Sequence, residues 1–508
     1  ITSNISSLLK NVGNIPKIVD IWKQKAGINK TQTIYCCLSV DALYFTPHVQ
    51  INENSIFEGI LFDQNDEKFL SKNIFANFLK KPNDFQVFLK LNSDKIIRAG
   101  FVFQVQPYNP IYPTFIVHVK PASNGKANES IIKLLSDIKT IIKNKNITIK
   151  SYSFDGDNAY SHLHHEYFNS FIKSVLRNNI LSFTRACKMR VVSDFLHLIK
   201  RLRYRLFGVD IHCGFKLSNE SFNIQKLKNI FKNLPNIIWN DESYTKMHDS
   251  LPLLLFSPEN LFYLLDKGFF LEAAYFLPIS LSILAYSYQD LGYSNRMYLL
   301  QISFYYLVFY YNEMINSEQK ELSETKKSSK HLQFYSKQIL IEFINTLHCD
   351  IQLMHELKSF AFRRNSTGPL EHKFGNCRRR AKFVHTYQKF LNVVSSLQAI
   401  TQKSILEKCQ NCENELEKIH CRNTTFGVLV EPKSDDFSDI YSETEEIALE
   451  KFPPQSIAKA ILFKANFNCD YLSFISPEDA IDNLMSFLID ILDNPGKIAQ
   501  KKKTRVIQ

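Results

Sequence analysis

The amino-acid sequence predicts a mixed α/β sheet flanked by helices, interrupted by a large all-α insertion and followed by a helical C-terminal region. Three observations predict it. Short runs rich in β-branched and aromatic residues, bounded by Pro, Asn, Asp and Gly, recur between residues 33 and 120 and read as strands. The hydrophobic period then alternates between helix and strand up to about residue 207, the pattern of a sheet with helices packed on it. Between 208 and 358 the strand signal disappears, and long Leu/Phe/Tyr-rich helical patterns replace it.

In chain order, residues 1–29 read as a helical segment ending in a polar patch, and strands follow at 33–45, 55–62, 101–106 and 114–120. Residues 127–143 switch to helical period, with Ile131, Leu134, Leu135, Ile138 and Ile142 on one face. A strand over 147–154 runs into Asp155-Gly156-Asp157-Asn158, a turn signal. A helix at 159–175, a short strand at 189–193 and a helix from Asp194 complete the first part of the sheet domain, 30–207. After the insertion at 208–358, residues 359–405 return to that domain with a helix opened by Gly368-Pro369. Residues 406–508 hold an acidic stretch, further helices and a Lys501-Lys502-Lys503 tail.

The chain has 508 residues, 45% of them hydrophobic and 13% aromatic, which supplies a large core and excludes a mainly disordered protein. With 62 Lys and Arg against 50 Asp and Glu, the net charge is +12, a balance that suits a polyanionic partner. Only 14 glycines occur, and neither G-x-x-x-x-G-K-[ST] nor G-x-G-x-x-G is present, which argues against the common glycine-loop nucleotide enzymes. Ten scattered cysteines point to a reducing interior rather than a disulfide scaffold. Residues 273–289 carry no charge, but Pro278, the adjacent Glu272 and the lack of Lys/Arg asymmetry make them a buried helix, so no membrane partner is expected. The first residues do not read as a signal peptide, and the start at Ile1 leaves room for a preceding module.

Four places carry candidate chemistry. Asp41 lies inside the apolar strand LSVDALYF, where a charge is costly unless it is paired, metal-bound or turned to solvent beside Ser39. Asp155 ends the strand SYSF, where open α/β sheets bind ligands; Asp157 competes with it two residues on. From Asp194, an N-cap residue type, Phe195, Leu198, Ile199, Leu202 and Leu206 form an apolar stripe. Asp194, His197, Lys200, Arg201 and Tyr204 fall opposite, as a solvated face or a functional one. Glu371 stands in the first turn behind Pro369, and Gly375, Arg378, Lys382 and Lys389 continue its face. A lone acid heading a basic face suits a carboxylate working beside phosphates. Cys409-x-x-Cys412 with His420 and Cys421 has poor zinc spacing, and His164-His165 are expected at the surface.

The order of these motifs resembles the RNase H-like DDE transposases of the P-element and THAP-domain type, related in layout to the hAT transposases. The shared signs are a strand Asp, a strand-end Asp in FDGDNAY, a D-x-x-H-x-x-K-R-x-R helix, a helical insertion and a late E-H-x-F-G-x-x-R-R helix. The resemblance spans roughly residues 30–400. It implies a DNA transposase core in which Asp41, Asp155 and Glu371 hold two Mg²⁺ ions, with Mn²⁺ as substitute. Asp194 and His197 would support the site. Lys200, Arg201, Arg378, Lys382 and Lys389 would contact double-stranded DNA. It also implies a homodimer or higher oligomer, a nuclear location and, by resemblance alone, GTP, for which Lys246 is the residue of interest. A domesticated or inactive descendant that binds DNA or protein without cutting is the alternative.

Overall fold

The computed structural model describes residues 8–29, 31–45, 47, 49–51, 57–58, 80–109, 112–123, 129–154, 160–178, 190–208, 210–212, 221–242, 248–288, 291–323, 332–357, 360–371, 373–374, 387, 390–391, 393, 429–430, 454–464 and 476–493. Five strands form the main sheet: β1 (Ile34–Tyr44), β2 (Ala99–Pro107), β3 (Phe115–Ala122), β4 (Ile147–Phe154) and β5 (Arg190–Ser193). Their order is β3-β2-β1-β4-β5. The first three strands pair antiparallel, whereas β1 and β4 run parallel. Helix α2 (Pro82–Leu91), absent from the elements expected from sequence, precedes β2. Because a parallel connection needs a crossover, α3 (Glu129–Lys143) fills the path from β3 to β4. This is the mixed sheet flanked by helices that the sequence predicts.

By contacts the chain groups into two compact units, Ile1–Tyr160 with Arg363–Asn423, and Ser161–Phe362 with Thr424–Gln508. In the first unit the two faces of the sheet differ in chemistry. Alternation puts Leu38, Val40, Phe103, Val105, Tyr152 and Phe154 on one face, all buried. Onto it pack α3 and α1 (Ile15–Lys25), which buries Trp22. The Trp22 ring stacks on Phe115 at 4.2 Å, and its indole N–H donates to Pro113 O at 3.0 Å. A proline in the first turn starts α1, and Gly27, at φ 66°, lets the chain turn away after it. Of the strand expected at 55–62, Phe57–Glu58 pairs antiparallel with Gln50–Ile51, and the rest lies outside the described residues.

The second unit is mainly helical. Its long elements are α4 (Ser161–Asn178), α5 (Phe195–Gly208), α9 (Phe270–Ser287), α10 (Tyr293–Ser323) and α11 (Lys337–Glu356), with the shorter α6 (Ile224–Ile230), α7 (Ser250–Leu255) and α8 (Pro258–Asp266) between them. Helix α9 is long and apolar enough to cross a membrane, yet 89% of its apolar window is buried inside the protein. It is apolar all round because other elements surround it. Tyr275 donates to Leu202 O at 2.7 Å, and Tyr335 donates to Tyr275 O at 2.7 Å, so the polar ends of these buried rings are satisfied. Buried Arg296 donates to Leu291 O at 2.8 Å and also bonds Ala285 O and Tyr288 O, which satisfies carbonyls around the end of α9. The region expected to be wholly helical also holds a small sheet of two-residue strands, β6 (Ile211–His212), β7 (Ser221–Phe222) and β8 (Leu332–Gln333), too short for alternation to show in sequence. Near the C-terminus, α12 (Pro454–Lys464) and α13 (Pro477–Asp493) dock on α10, with Lys459 Nζ over the Phe309 ring and Tyr298 edge-on to Phe487.

Each unit encloses a neutral imidazole. Burial, aided by the nearby Lys120 charge, pushes His118 down to about 4 against the opposing Leu9 carbonyl. Burial first, then the charges of Arg201 and His165, push His164 down to about 3. Both folded values lie below the unfolded value of about 6.5, so the unfolded chain takes up protons that the folded one refuses. The stability these groups contribute is complete above about pH 6.5 and is lost as pH falls toward 4 and 3. By pH 5 each group should cost about 2 kcal/mol. Unfolding midpoints measured between pH 7 and pH 4.5 should fall steeply, and His164→Gln should flatten the slope. A midpoint independent of pH over this range would contradict the burial of both rings.

Candidate active site

The second face of the sheet in the first unit is the unusual one. Register places Cys37, Ser39 and Asp41 of β1 beside Gln106, Gln104 and Val102 of β2, and Cys37 and Ser39 beside Ser151 and Ser153 of β4. Ser39, Gln104, Gln106, Ser151 and Ser153 are all buried, so this face is polar yet covered. Ser39 is thus corrected from a solvent-facing to a buried position. Asp41 itself is half-buried, and its Oδ1 accepts the Ala42 N–H at 2.7 Å.

What covers this face is the segment leading to Glu371. Gln106 Nε2 donates to Ser366 O at 3.1 Å. Tyr108 and Ser151 share a hydrogen bond of 2.6 Å, and Ser151 also donates to Asn365 Oδ1. A helical turn then begins at Gly368, as the proline position predicts. Thr367 O accepts the N–H groups of Leu370 and Glu371, while the Thr367 hydroxyl donates to Glu371 Oε1 at 2.9 Å. Lys373 Nζ reaches Thr114 O at 3.0 Å, and Tyr387 OH donates to Val119 O at 3.2 Å. Phe45 packs on Tyr387 and Phe390, and Gly100 makes room for it, since a Cβ there would stand 2.9 Å from the Phe45 ring. The described residues thus bring the segment that enters the Glu371 turn onto the face that carries Asp41.

Phe154, the last residue of β4, is in register with Val40, one residue before Asp41. Asp155 and Asp157, which follow in sequence, lie outside the described residues, as do Lys246, Arg378, Lys382, Lys389, Cys409, Cys412, His420 and Cys421.

Asp194, His197, Lys200 and Arg201 belong to the second unit. Buried Asp194 caps α5, its Oδ1 accepting the N–H groups of Leu196 at 2.8 Å and His197 at 3.4 Å. The stripe Phe195, Leu198, Ile199, Leu202 and Leu206 is buried as predicted. The opposite face is not simply solvated. Lys200 Nζ lies 2.5 Å from Asp249 Oδ1, and Arg201 Nη1 lies 2.5 Å from Glu342 Oε2, a fully buried carboxylate. Buried Arg203 donates to Ile238 O at 2.6 Å and Asn240 O at 3.1 Å. The expectation of a surface His164 is corrected. Its ring is buried, with Nε2 3.2 Å from Ser193 Oγ and Nδ1 3.3 Å from Asn345 Nδ2. It occupies the inward face of α4, a placement that the histidine pair alone does not reveal.

Sequence reasoning missed the polar row behind Asp41 and the docking role of Asn365 and Ser366. The signal was present as period-2 polar residues in LSVD, FQVQ and SYSF, a pattern that ordinarily marks a solvent face.

No family model matches the chain, and no curated protein does. Among solved structures, the chain is similar to the Drosophila P element transposase strand transfer complex, with 12% sequence identity and a TM-score of 0.44 over 81% of this chain and 92% of that chain.

Proposed function

We propose that this protein is a DNA transposase core that cleaves and joins phosphodiester bonds, with Asp41, Asp155 and Glu371 holding two divalent ions. The observation that carries this reading is the shared face. Asp41 stands half-buried on the central strand of the five-stranded mixed sheet, and the segment entering the Glu371 turn is hydrogen-bonded to that same face. The donor set fits the ions. Mg²⁺ and Mn²⁺ favour oxygen ligands, and Asp41 and Glu371 offer carboxylates on backbone fixed by β pairing and by Thr367. When bound, such a pair of ions activates the attacking oxygen and stabilises the leaving one. The residues hold and orient, Asp41 from the strand and Glu371 from its helical turn. The sequence order that resembles the DDE transposases supports the same assignment, with Asp155 as the second acid.

The intact protein should nick supercoiled plasmid DNA in Mg²⁺ or Mn²⁺ and stop on chelation. Asp137→Asn, an exposed change on α3, should leave that activity intact. A folded, DNA-binding protein that never cuts would overturn the enzymatic reading in favour of a binding-only descendant. The net charge of +12 also predicts DNA affinity that falls steeply with salt, log K dropping by roughly 0.9 per log unit of salt for each phosphate neutralised. Filter binding between 50 and 200 mM salt checks this, and a flat response would remove the phosphate contacts from the proposal. A nuclear location is part of the same proposal, and acting on two DNA ends together suits at least a dimer.

A further inference from the structure

The row immediately behind Asp41 is built from three buried polar side chains in register across three strands. Gln104 of β2 and Ser153 of β4 flank Ser39 of β1, and all three are 0% exposed. Among the described residues, Gln104 Nε2, Gln104 Oε1, Ser39 Oγ and Ser153 Oγ have no hydrogen-bond partner. One row further along, most of the same face is satisfied, with Gln106 Nε2 bonded to Ser366 and Ser151 bonded to Tyr108 and Asn365, and only Gln106 Oε1 in that row left without a partner among the described residues. Four unpartnered atoms in the row nearer Asp41 stand against one in the next row, so most of the unmet hydrogen-bonding capacity lies on the Asp41 side of the face. The other face of these strands shows what fills such positions when only packing is required: Leu38, Val40, Phe103 and Phe154.

Buried polar groups without partners are costly, and the cost is avoided by apolar residues of the same shape. Gln104 is the cross-strand diagonal neighbour of Asp41, a separation that long side chains bridge. Its carboxamide can donate to a carboxylate while accepting from the Ser39 or Ser153 hydroxyl. Being neutral, it does so without adding a negative charge beside acids that already repel one another. A glutamate of the same length would add one.

We propose that Gln104 is a positioning residue for the Asp41 carboxylate, backed by Ser39 and Ser153, so that the row fixes the orientation in which Asp41 meets a divalent ion. The inference rests on the reading of Asp41 as a metal-holding acid. Partners of this kind behind a ligand typically matter 10–100-fold in metal affinity.

The test is Mn²⁺ binding to the full chain, followed by the electron paramagnetic resonance of free Mn²⁺, together with the unfolding midpoint. Gln104→Leu should keep or raise the midpoint, because an unsatisfied amide is exchanged for an apolar side chain of similar volume. It should weaken Mn²⁺ binding roughly 10–100-fold. Wild-type Mn²⁺ binding in Gln104→Leu, alongside lost binding in Asp41→Asn, overturns the role of Gln104 and leaves the acid site standing. Wild-type binding in Asp41→Asn overturns the acid site, and the inference with it. Should the leucine variant fail to fold, Ser39→Ala removes a single oxygen from the row. Weakened Mn²⁺ binding at an unchanged midpoint then supports the proposal, and unaltered binding overturns it.

Discussion

Asp41→Asn should lower metal-dependent DNA cleavage by at least about 10³-fold, with the unfolding midpoint and DNA affinity close to wild type. A loss of that size corresponds to about 4 kcal/mol of transition-state stabilisation. The substitution keeps the shape of the side chain and an oxygen able to accept the Ala42 N–H, so the strand has no reason to move. What it removes is the negative charge on which a hard cation depends. Glu371→Gln should behave alike, since Gln retains an acceptor for the Thr367 hydroxyl, and Asp155→Asn completes the set. Plasmid nicking by each variant, with the unfolding midpoint as control, decides the matter. If the Asp41 and Glu371 variants both cut within tenfold of wild type, neither carboxylate holds the reaction.

Glu342→Ala should destabilise the protein by about 3–5 kcal/mol, the usual consequence of removing one member of a buried charge pair. Glu342 lies on α11 with only 1% of its side chain exposed and takes hydrogen bonds from Arg201 at 2.5 Å, Gln338 at 2.6 Å and Ser193 at 3.3 Å. Truncation leaves the Arg201 guanidinium partly buried beside the neutral His164 ring with its counter-charge gone. Removing both charges, in Arg201→Met with Glu342→Leu, should recover much of the loss, because neither desolvated ion then remains. Urea unfolding of the full chain for the two single variants and the double variant measures the coupling. Additive losses would show that the pair contributes nothing as a pair.

Arg201 also shows why assigning charges from sequence has a limit. An Arg opposite the apolar stripe of α5 reads as available to a phosphate, whereas its partner Glu342 lies 141 residues away on α11. Lys200 is held in the same way by Asp249. A DNA phosphate at either position has to compete with an acid already in place. His164 shows the same limit for burial. Local pattern marks it as one of a polar pair on a helix, and only the packing of α11 and β5 against that helix encloses it.

The sequence by itself determined the strands of the main sheet, the helices that follow them and their order, since period, β-branching and turn residues act over a few neighbours. Ile147–Phe154 and the buried stripe of α5 emerge as read, and so does the helical turn behind Pro369. Alternation also fixed that Ser39 and Asp41 share a face. Tertiary structure alone decided what lies over that face. Asn365 and Ser366 close on Ser151 and Gln106 from more than 200 residues away, and they turn a pattern that looks solvent-facing into a buried polar surface. Period-2 polarity records which side chains point together, but the medium they point into is set by whichever distant segment buries its own surface there.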